Sequence, residues 1–336
     1  HLSIRRQRQM CIRDRRWAAD QFHQCLLDSP GAEGARKYLG ERKILGETVR
    51  KFGLGFAPAD GDWLLQRLGQ SSAPLEVFEE VGLIGRRQSG TGYYDRFRDR
   101  VMFPVRNSHG QIVGFGGRML PDSPLAERAP KYYNSAETPL FSKSELLYGL
   151  DQARPAAATA GYLAVVEGYT DVLMAHQSGV AHVVATMGTA LNARHVQQLR
   201  RFVPKVVLVF DADAGGSTGV DRALAVFAGH NIELAIAQLP EGLDPCDLLV
   251  RQGPEPFRKA LAGAATIRRI LNDTRARTGA RTTVAADWLP LAGTFGPSPR
   301  SSPPTFFLGE RDTARTRQGL KSARQMLWHS IRTRST

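Results

Sequence analysis

Four acidic positions stand at, or just beyond, the ends of apolar runs that read as strands. Glu167 closes Tyr162-Leu163-Ala164-Val165-Val166 and leads into Gly168-Tyr169-Thr170-Asp171. Asp211 and Asp213 follow Val206-Val207-Leu208-Val209-Phe210 within Asp-Ala-Asp-Ala-Gly-Gly, and Asp244 follows Ile232–Ile236 within Leu243-Asp244-Pro245-Cys246-Asp247. In an α/β sheet the carboxyl ends of the strands share one edge, where ligands bind. Carboxylates gathered there repel one another unless a divalent cation neutralises them. Mg²⁺ takes one or two protein carboxylates together with substrate phosphates, so the expected chemistry is phosphoryl transfer at a metal held by Glu167, Asp211, Asp213 and Asp244. Mn²⁺ is the expected substitute. The competing reading is that each acid only caps the helix after it. A Glu and an Asp-x-Asp after strands of one repeat favour the metal.

The elements that must position these acids alternate cleanly over 161–252. Strands are expected at 162–167, 181–186, 205–210 and 232–238, with helices at 170–178, 192–202, near 216–229 and at 246–252. Such alternation predicts an α/β fold, a mostly parallel sheet flanked by helices. A smaller mixed α+β basic subdomain over 17–160 precedes it. There, 17–27, 33–39, 62–69 and 74–82 have helical spacing, while 46–57 reads as a turn. Arg100–Val105 and Gln111–Phe115 flank Asn107-Ser108-His109-Gly110 as a hairpin. A helix is expected at 143–153 and an Ala-rich linker at 154–160. Residues 253–280 read as the start of a helical subdomain. Residues 281–336 are Pro/Ser/Thr/Arg-rich without period, and 1–16 show no apolar periodicity; that leader reads as foreign to the rest of the chain.

The net charge of +13 in 336 residues points to nucleic acid, but its distribution weakens the inference. Residues 1–16 carry a net +5 and 297–336 a net +6. The excess that matters lies at 86–143, with ten Lys/Arg against five acids and interleaved aromatics and glycines. Such a surface suits a phosphate backbone, although a solvated basic face would look the same. Three cysteines (Cys11, Cys25 and Cys246) lack Cys-x-x-Cys spacing, so neither a zinc site nor a disulfide framework is indicated. No apolar run reaches the ~18 residues that span a bilayer, so no membrane partner is expected and the default location is cytoplasmic.

Several motifs, in order, give the chain a specific resemblance. Glu167-Gly168-Tyr169-Thr170-Asp171-Val172, the Ala185–Leu191 turn and Phe210-Asp211-Ala212-Asp213-Ala214-Gly215-Gly216 resemble the Toprim domain of bacterial replicative primases of the DnaG type. Tyr94–Pro104, Gly114-Phe115-Gly116-Gly117-Arg118 and Lys131–Thr138 are similar to the basic half of the same polymerase core. The resemblance covers roughly residues 17–275. It implies a DNA primase, which makes short RNA primers from ribonucleoside triphosphates on a single-stranded DNA template. By that resemblance Asp211 and Asp213 hold Mg²⁺ and the incoming triphosphate. Glu167 is a further ligand or helps deprotonate the attacking hydroxyl. Arg96, Arg98, Arg118, Lys131, Tyr132, Asn134 and Lys143 fall where the family places template and nucleotide contacts. Gly188 and Thr189 would allow close backbone approach, or form an ordinary turn. Asp171 either orients the acidic cluster or caps the helix.

The chain departs from the family at the last acidic motif, where Cys246 stands in place of an acid and Asp247 follows. An extra metal site there is weakened, or Asp247 substitutes, or Cys246 simply packs inward; the first is slightly favoured. No Cys/His zinc ribbon precedes residue 17, and nothing after 280 resembles the helicase-binding domain, although a replicative helicase is the expected partner of full-length members. Two other functions remain: another Toprim enzyme (a topoisomerase or nuclease) or a catalytically dead nucleic-acid-binding scaffold.

Overall fold

A computed structural model describes residues 2–69, 74–88, 90–210, 226–227, 230–240 and 242–266. Asp211 and Asp213, most of the helix expected near 216–229, and the tail expected over 281–336 lie outside them.

The basic half is an antiparallel sheet braced by a long helix. Helix α1 (Leu2–Asp28) buries Ala18, Ala19, Phe22, Cys25 and Leu26. The helix expected at 17–27 thus begins 15 residues earlier, and part of the leader packs: Asp14 and Arg15 are buried, and Arg15 Nη2 donates to Thr138 Oγ1 at 3.2 Å. Helices α2 (Glu33–Glu41) and α3 (Gly46–Phe52) follow, then β1 (Gly55–Ala57). The turn expected over 46–57 is therefore a helix and a strand. Its glycines have separate duties. Gly53 takes φ +68° as the left-handed cap of α3, and a Cβ on Gly55 would lie 2.6 Å from Phe22. Helices α4 (Trp63–Leu68) and α5 (Leu75–Glu80) lead to the two-stranded β2 (Ile84–Arg86) and β3 (Tyr93–Asp95). The hairpin β4 (Arg100–Arg106) and β5 (Ile112–Met119) then pairs with β6 (Tyr132–Asn134), giving the sheet order β1-β4-β5-β6.

The second half begins with α6 (Leu150–Ala160), where sequence suggested a helix ending at 153 and a linker. The alanines are a packing face rather than a spacer: Ala153 and Ala157 are fully buried. The sheet consists of β7 (Tyr162–Val166), β8 (Val183–Ala185), β9 (Lys205–Phe210), β10 (Glu233–Gln238) and β11 (Ala265–Thr266). Its order is β11-β10-β9-β7-β8, with the last four parallel and β11 antiparallel at the edge. Helices α7 (Tyr169–Gln177), α8 (Ala193–Leu199), α9 (Pro245–Gln252) and α10 (Pro254–Ala262) cover it. Alternate residues of β7 face opposite ways. Leu163 and Val165 pack with α6 and α8, while Ala164 and Val166 pack with α7 and α9. The cluster on the α7 and α9 side runs on without a break into Phe52, Val101, Phe103 and Val113 of the basic half, so one hydrophobic core spans both.

Candidate active site and nucleic-acid interface

Glu167 projects from the end of β7, exposed, and its carboxylate makes no hydrogen bond or ion pair among the described residues. The turn under it is well held: Thr186 N donates to the Val166 carbonyl at 3.2 Å. β9, the strand that leads to Asp211 and Asp213, lies directly between β7 and β10, which places those acids in sequence after a central strand.

The other described acids are already employed. Asp171 is buried, and its Oδ2 accepts from Gly168 N at 3.0 Å while Oδ1 accepts from Cys246 N at 3.2 Å. It caps α7 and ties that turn to α9, so of the two roles open to it the capping one is built. Asp244 is the N-cap of α9, its Oδ1 accepting from Asp247 N at 2.6 Å. Its Oδ2 makes no hydrogen bond among the described residues. Cys246 is 1% exposed, in the core, and burial first, then Asp171 and Asp244, push its thiol up to about 12. A buried, protonated thiol offers no metal ligand. The slight preference for a site weakened by Cys246 is corrected: this cysteine packs inward. Asp247 pairs with Arg251 at 3.3 Å. No group of three potential metal ligands is clustered among the described residues, a set that lacks Asp211 and Asp213.

The basic sheet faces this edge with a caged cation. Arg118, on β5, is 7% exposed, its guanidinium carbon 5.5 Å from the Tyr38 ring centre and 5.3 Å from that of Tyr132. Its Nη1 donates to the Met119 carbonyl, yet among the described residues its buried Nε has no hydrogen-bond partner, and neither has the buried Tyr38 hydroxyl. Arg42, one turn along α2, sits 5.9 Å from the Tyr38 ring and interacts electrostatically with Tyr132, Cys246 and Asp244. Neither arginine forms an ion pair among the described residues. Tyr38 and Arg42 escaped the sequence reading; a tyrosine and an arginine four apart on an amphipathic helix carry no local signal of such a role.

Lys131 is exposed at the start of β6, and Tyr132 is half-exposed above Arg118. Buried Arg100 holds their loop, donating to the carbonyls of Gly117 and Lys131 at 3.3 Å and of Pro130 at 2.7 Å. Arg96 and Arg98 are half-buried beside β3, whose Asp95 caps α4 through Leu64 N and Leu65 N. Lys143 joins the two halves by its main chain. Its carbonyl accepts from Thr189 Oγ1 at 3.2 Å and from His195 Nε2 at 2.9 Å. Gly188 has φ +72°, as a turn requires, and open space where a Cβ would be.

Asn134 is hydrogen-bonded across the junction of the two halves. Its Oδ1 accepts from Tyr169 OH at 2.7 Å and its Nδ2 donates to the Met187 carbonyl at 3.0 Å. The amide expected to meet a nucleotide is used inside the protein. The glycines before Arg118 are explained in the same way. A Cβ on Gly114 would strike Phe141, and one on Gly116 would come within 2.5 Å of Tyr169.

A mostly parallel sheet with an acidic edge is thus set against an antiparallel basic sheet. The family description "DNA primase catalytic core, N-terminal domain" matches residues 22–154, and "Toprim-like" matches 164–249. The DNA primase of Pseudomonas aeruginosa is 41% identical over 253 residues, covering 74% of this chain and 37% of that protein. Among solved structures, a DNA primase domain from Pseudomonas aeruginosa shares 37% identity at a TM-score of 0.72, with 82% of this chain and 84% of that one covered. A DnaG primase catalytic domain bound to ssDNA shares 33% identity at a TM-score of 0.73, covering 84% and 88%. The chain belongs to the bacterial DnaG-type DNA primase family. It spans 37% to 42% of the length of the first curated relatives it matches. No helix among the described residues is long and apolar enough to cross a membrane.

Proposed function

We propose that this chain is the RNA polymerase core of a DNA primase, joining ribonucleotides on a single-stranded DNA template by metal-assisted nucleotidyl transfer. The observation that carries the reading is the contrast at the acidic edge. Asp171 and the Oδ1 of Asp244 are committed to main-chain N–H groups, whereas Glu167 is exposed and, among the described residues, unpaired on the edge that β9 shares. The donor set of Glu167, Asp211, Asp213 and Asp244 Oδ2 is all hard oxygen, which fits Mg²⁺ and, as substitute, Mn²⁺. Bound there, the metal would supply charge for the developing negative oxygens. Glu167 is placed to hold it or to take the proton of the attacking 3′-hydroxyl as pyrophosphate leaves the α-phosphate.

The basic half supplies binding. Arg118 presents a desolvated cation whose Nε seeks an acceptor, a role a phosphate oxygen fills. Lys131, Tyr132, Arg96, Arg98 and Lys143 contribute further charge and a stacking face for template or triphosphate. Asn134 is assigned to the scaffold instead. A replicative helicase is the expected partner of the family's whole proteins.

Incubating the chain with labelled ribonucleotides, single-stranded DNA and Mg²⁺ tests the reading. Template-dependent RNA primers are expected. DNA relaxation or cleavage instead would point to another Toprim enzyme, and DNA binding without either would point to an inactive scaffold.

A further inference from the structure

The polar groups of Asn134 and Tyr169 meet where the two halves join, 35 residues apart in sequence. Tyr169 lies two residues after Glu167, at the first turn of α7, and is 5% exposed. Its ring stacks on Phe103 of β4 with centroids 4.9 Å apart, meets Tyr148 edge-on at 4.8 Å, and occupies the space that Gly116 leaves open. From that socket its hydroxyl donates to Asn134 Oδ1 on β6, and Asn134 Nδ2 donates to the carbonyl of Met187, in the turn after β8. One amide therefore links three segments: the basic sheet, the turn carrying Glu167, and the turn at the neighbouring strand end. Both are hydrogen bonds of ordinary length in a part-buried setting, where leaving either partner unmade costs stability.

We infer that Asn134 and Tyr169 are positioning residues, a hydrogen-bonded strut that fixes the Glu167 turn relative to the basic sheet bearing Arg118, Lys131 and Tyr132. The inference rests on the proposed assignment of Glu167 to the reacting centre. The reaction needs the phosphates held by one half and the carboxylate carried by the other to keep a fixed separation, and small displacements are expensive in rate. The hydrophobic core keeps the halves together, and the directional donor–acceptor pair adds a specific point of registration between them. The sequence Gly114-Phe115-Gly116-Gly117 serves the same end, since the missing side chain at Gly116 admits the tyrosine.

The test uses the whole 336-residue chain with Tyr169→Phe, Asn134→Ala and the double variant. Tyr169→Phe keeps the ring, its stack on Phe103 and the Gly116 socket, and deletes only the hydroxyl. Each single variant should lower kcat for primer synthesis about tenfold or more, with KM for ribonucleotides and the dissociation constant for single-stranded DNA unchanged within about twofold. The double variant should be no worse than the worse single one, because both remove the same strut. Hydrogen–deuterium exchange of the metal-free protein should rise in peptides covering 166–170 and 186–190 in both variants. That arm separates the two claims: if the wild type makes no primers, the functional reading fails while exchange still decides the strut. A raised nucleotide KM in Asn134→Ala with normal kinetics in Tyr169→Phe would place the amide on the nucleotide and overturn the inference. So would unchanged kcat at a lowered melting temperature, or unchanged exchange in both turns.

Discussion

The acidic edge and the basic sheet both set charged side chains beside strands, and in each only some of the charges are left for a ligand. On the acidic edge Asp171 satisfies two main-chain N–H groups and Asp244 one, while Glu167 has no partner among the described residues. On the basic sheet Arg100 satisfies three carbonyls, Arg118 one, and Lys131 stays exposed. The two regions differ in how the remaining charge is kept. The carboxylate is held in water on a rigid turn, whereas the arginine is desolvated between two tyrosines with one N–H unmatched. A metal can be captured from solvent by exposed oxygens, while a phosphate is gripped more strongly by a cation already stripped of water.

The comparison breaks most visibly at the strand end that follows β9. Asp211→Asn or Asp213→Asn should reduce primer synthesis by at least about a hundredfold, the scale of losing a group aimed at developing charge, with an unaltered melting curve. Synthesis retained in both would place the metal elsewhere.

Cys246→Asp sharpens the contrast between committed and free acids. Buried in the core beside Asp171 and Asp244, a new carboxylate is desolvated and repelled by both, with Arg42 only a partial offset, and the fold should lose about 3 kcal/mol in urea denaturation. The Mg²⁺ concentration for half-maximal synthesis should not fall in the protein that remains folded. A lowered requirement would show that this position faces the metal after all.

Within the basic sheet, Lys131→Ala and Arg100→Ala should separate ligand binding from scaffold. The first should flatten the salt dependence of DNA or nucleotide binding by about one phosphate contact without changing stability. The second should destabilise the fold, leaving three carbonyls without their donor. Equal effects of the two on stability would erase the distinction.

The smallest effect concerns Asp95, whose carboxyl burial raises to about 6, outweighing the N–H groups of Leu64 and Leu65 that lower it. The unfolded group titrates near 4. Because the fold raises this pKa, the protonated form favours the fold: the contribution is full below about pH 4 and is lost as pH rises through 6. Asp95→Asn should therefore show a flatter stability profile than wild type between pH 4 and 6 in urea titrations. Identical profiles would show that the carboxyl is not desolvated.

Much of this was legible in the chain. The strands β7, β9 and β10 are doubly covered and read as unbroken apolar runs, so the pattern of residues alone puts Glu167 and Asp244 at or beyond their ends. What misled were residues with two meanings. Gly53 and Gly55 looked like a turn, yet one caps a helix and the other admits Phe22. The stretch 154–160 looked like a spacer around Pro155, yet it continues helix α6, whose Ala157 is fully buried together with Ala153. Asn134 looked like a nucleotide contact because its neighbours Lys131 and Tyr132 do. Its partner Tyr169 lies across the subdomain boundary, and no local pattern announces a pair formed by tertiary packing. Cys246 could not be placed from spacing, since the residue after a helix-opening proline can face the core or the cleft.

The central claim is that the free carboxylate does chemistry and the basic half does binding. Glu167→Gln, assayed side by side for primer synthesis and for single-stranded DNA affinity, tests it most directly. The account predicts synthesis lowered about a hundredfold or more with the DNA dissociation constant unchanged within about twofold. Synthesis at the wild-type rate, or DNA affinity falling in step with it, would contradict that division.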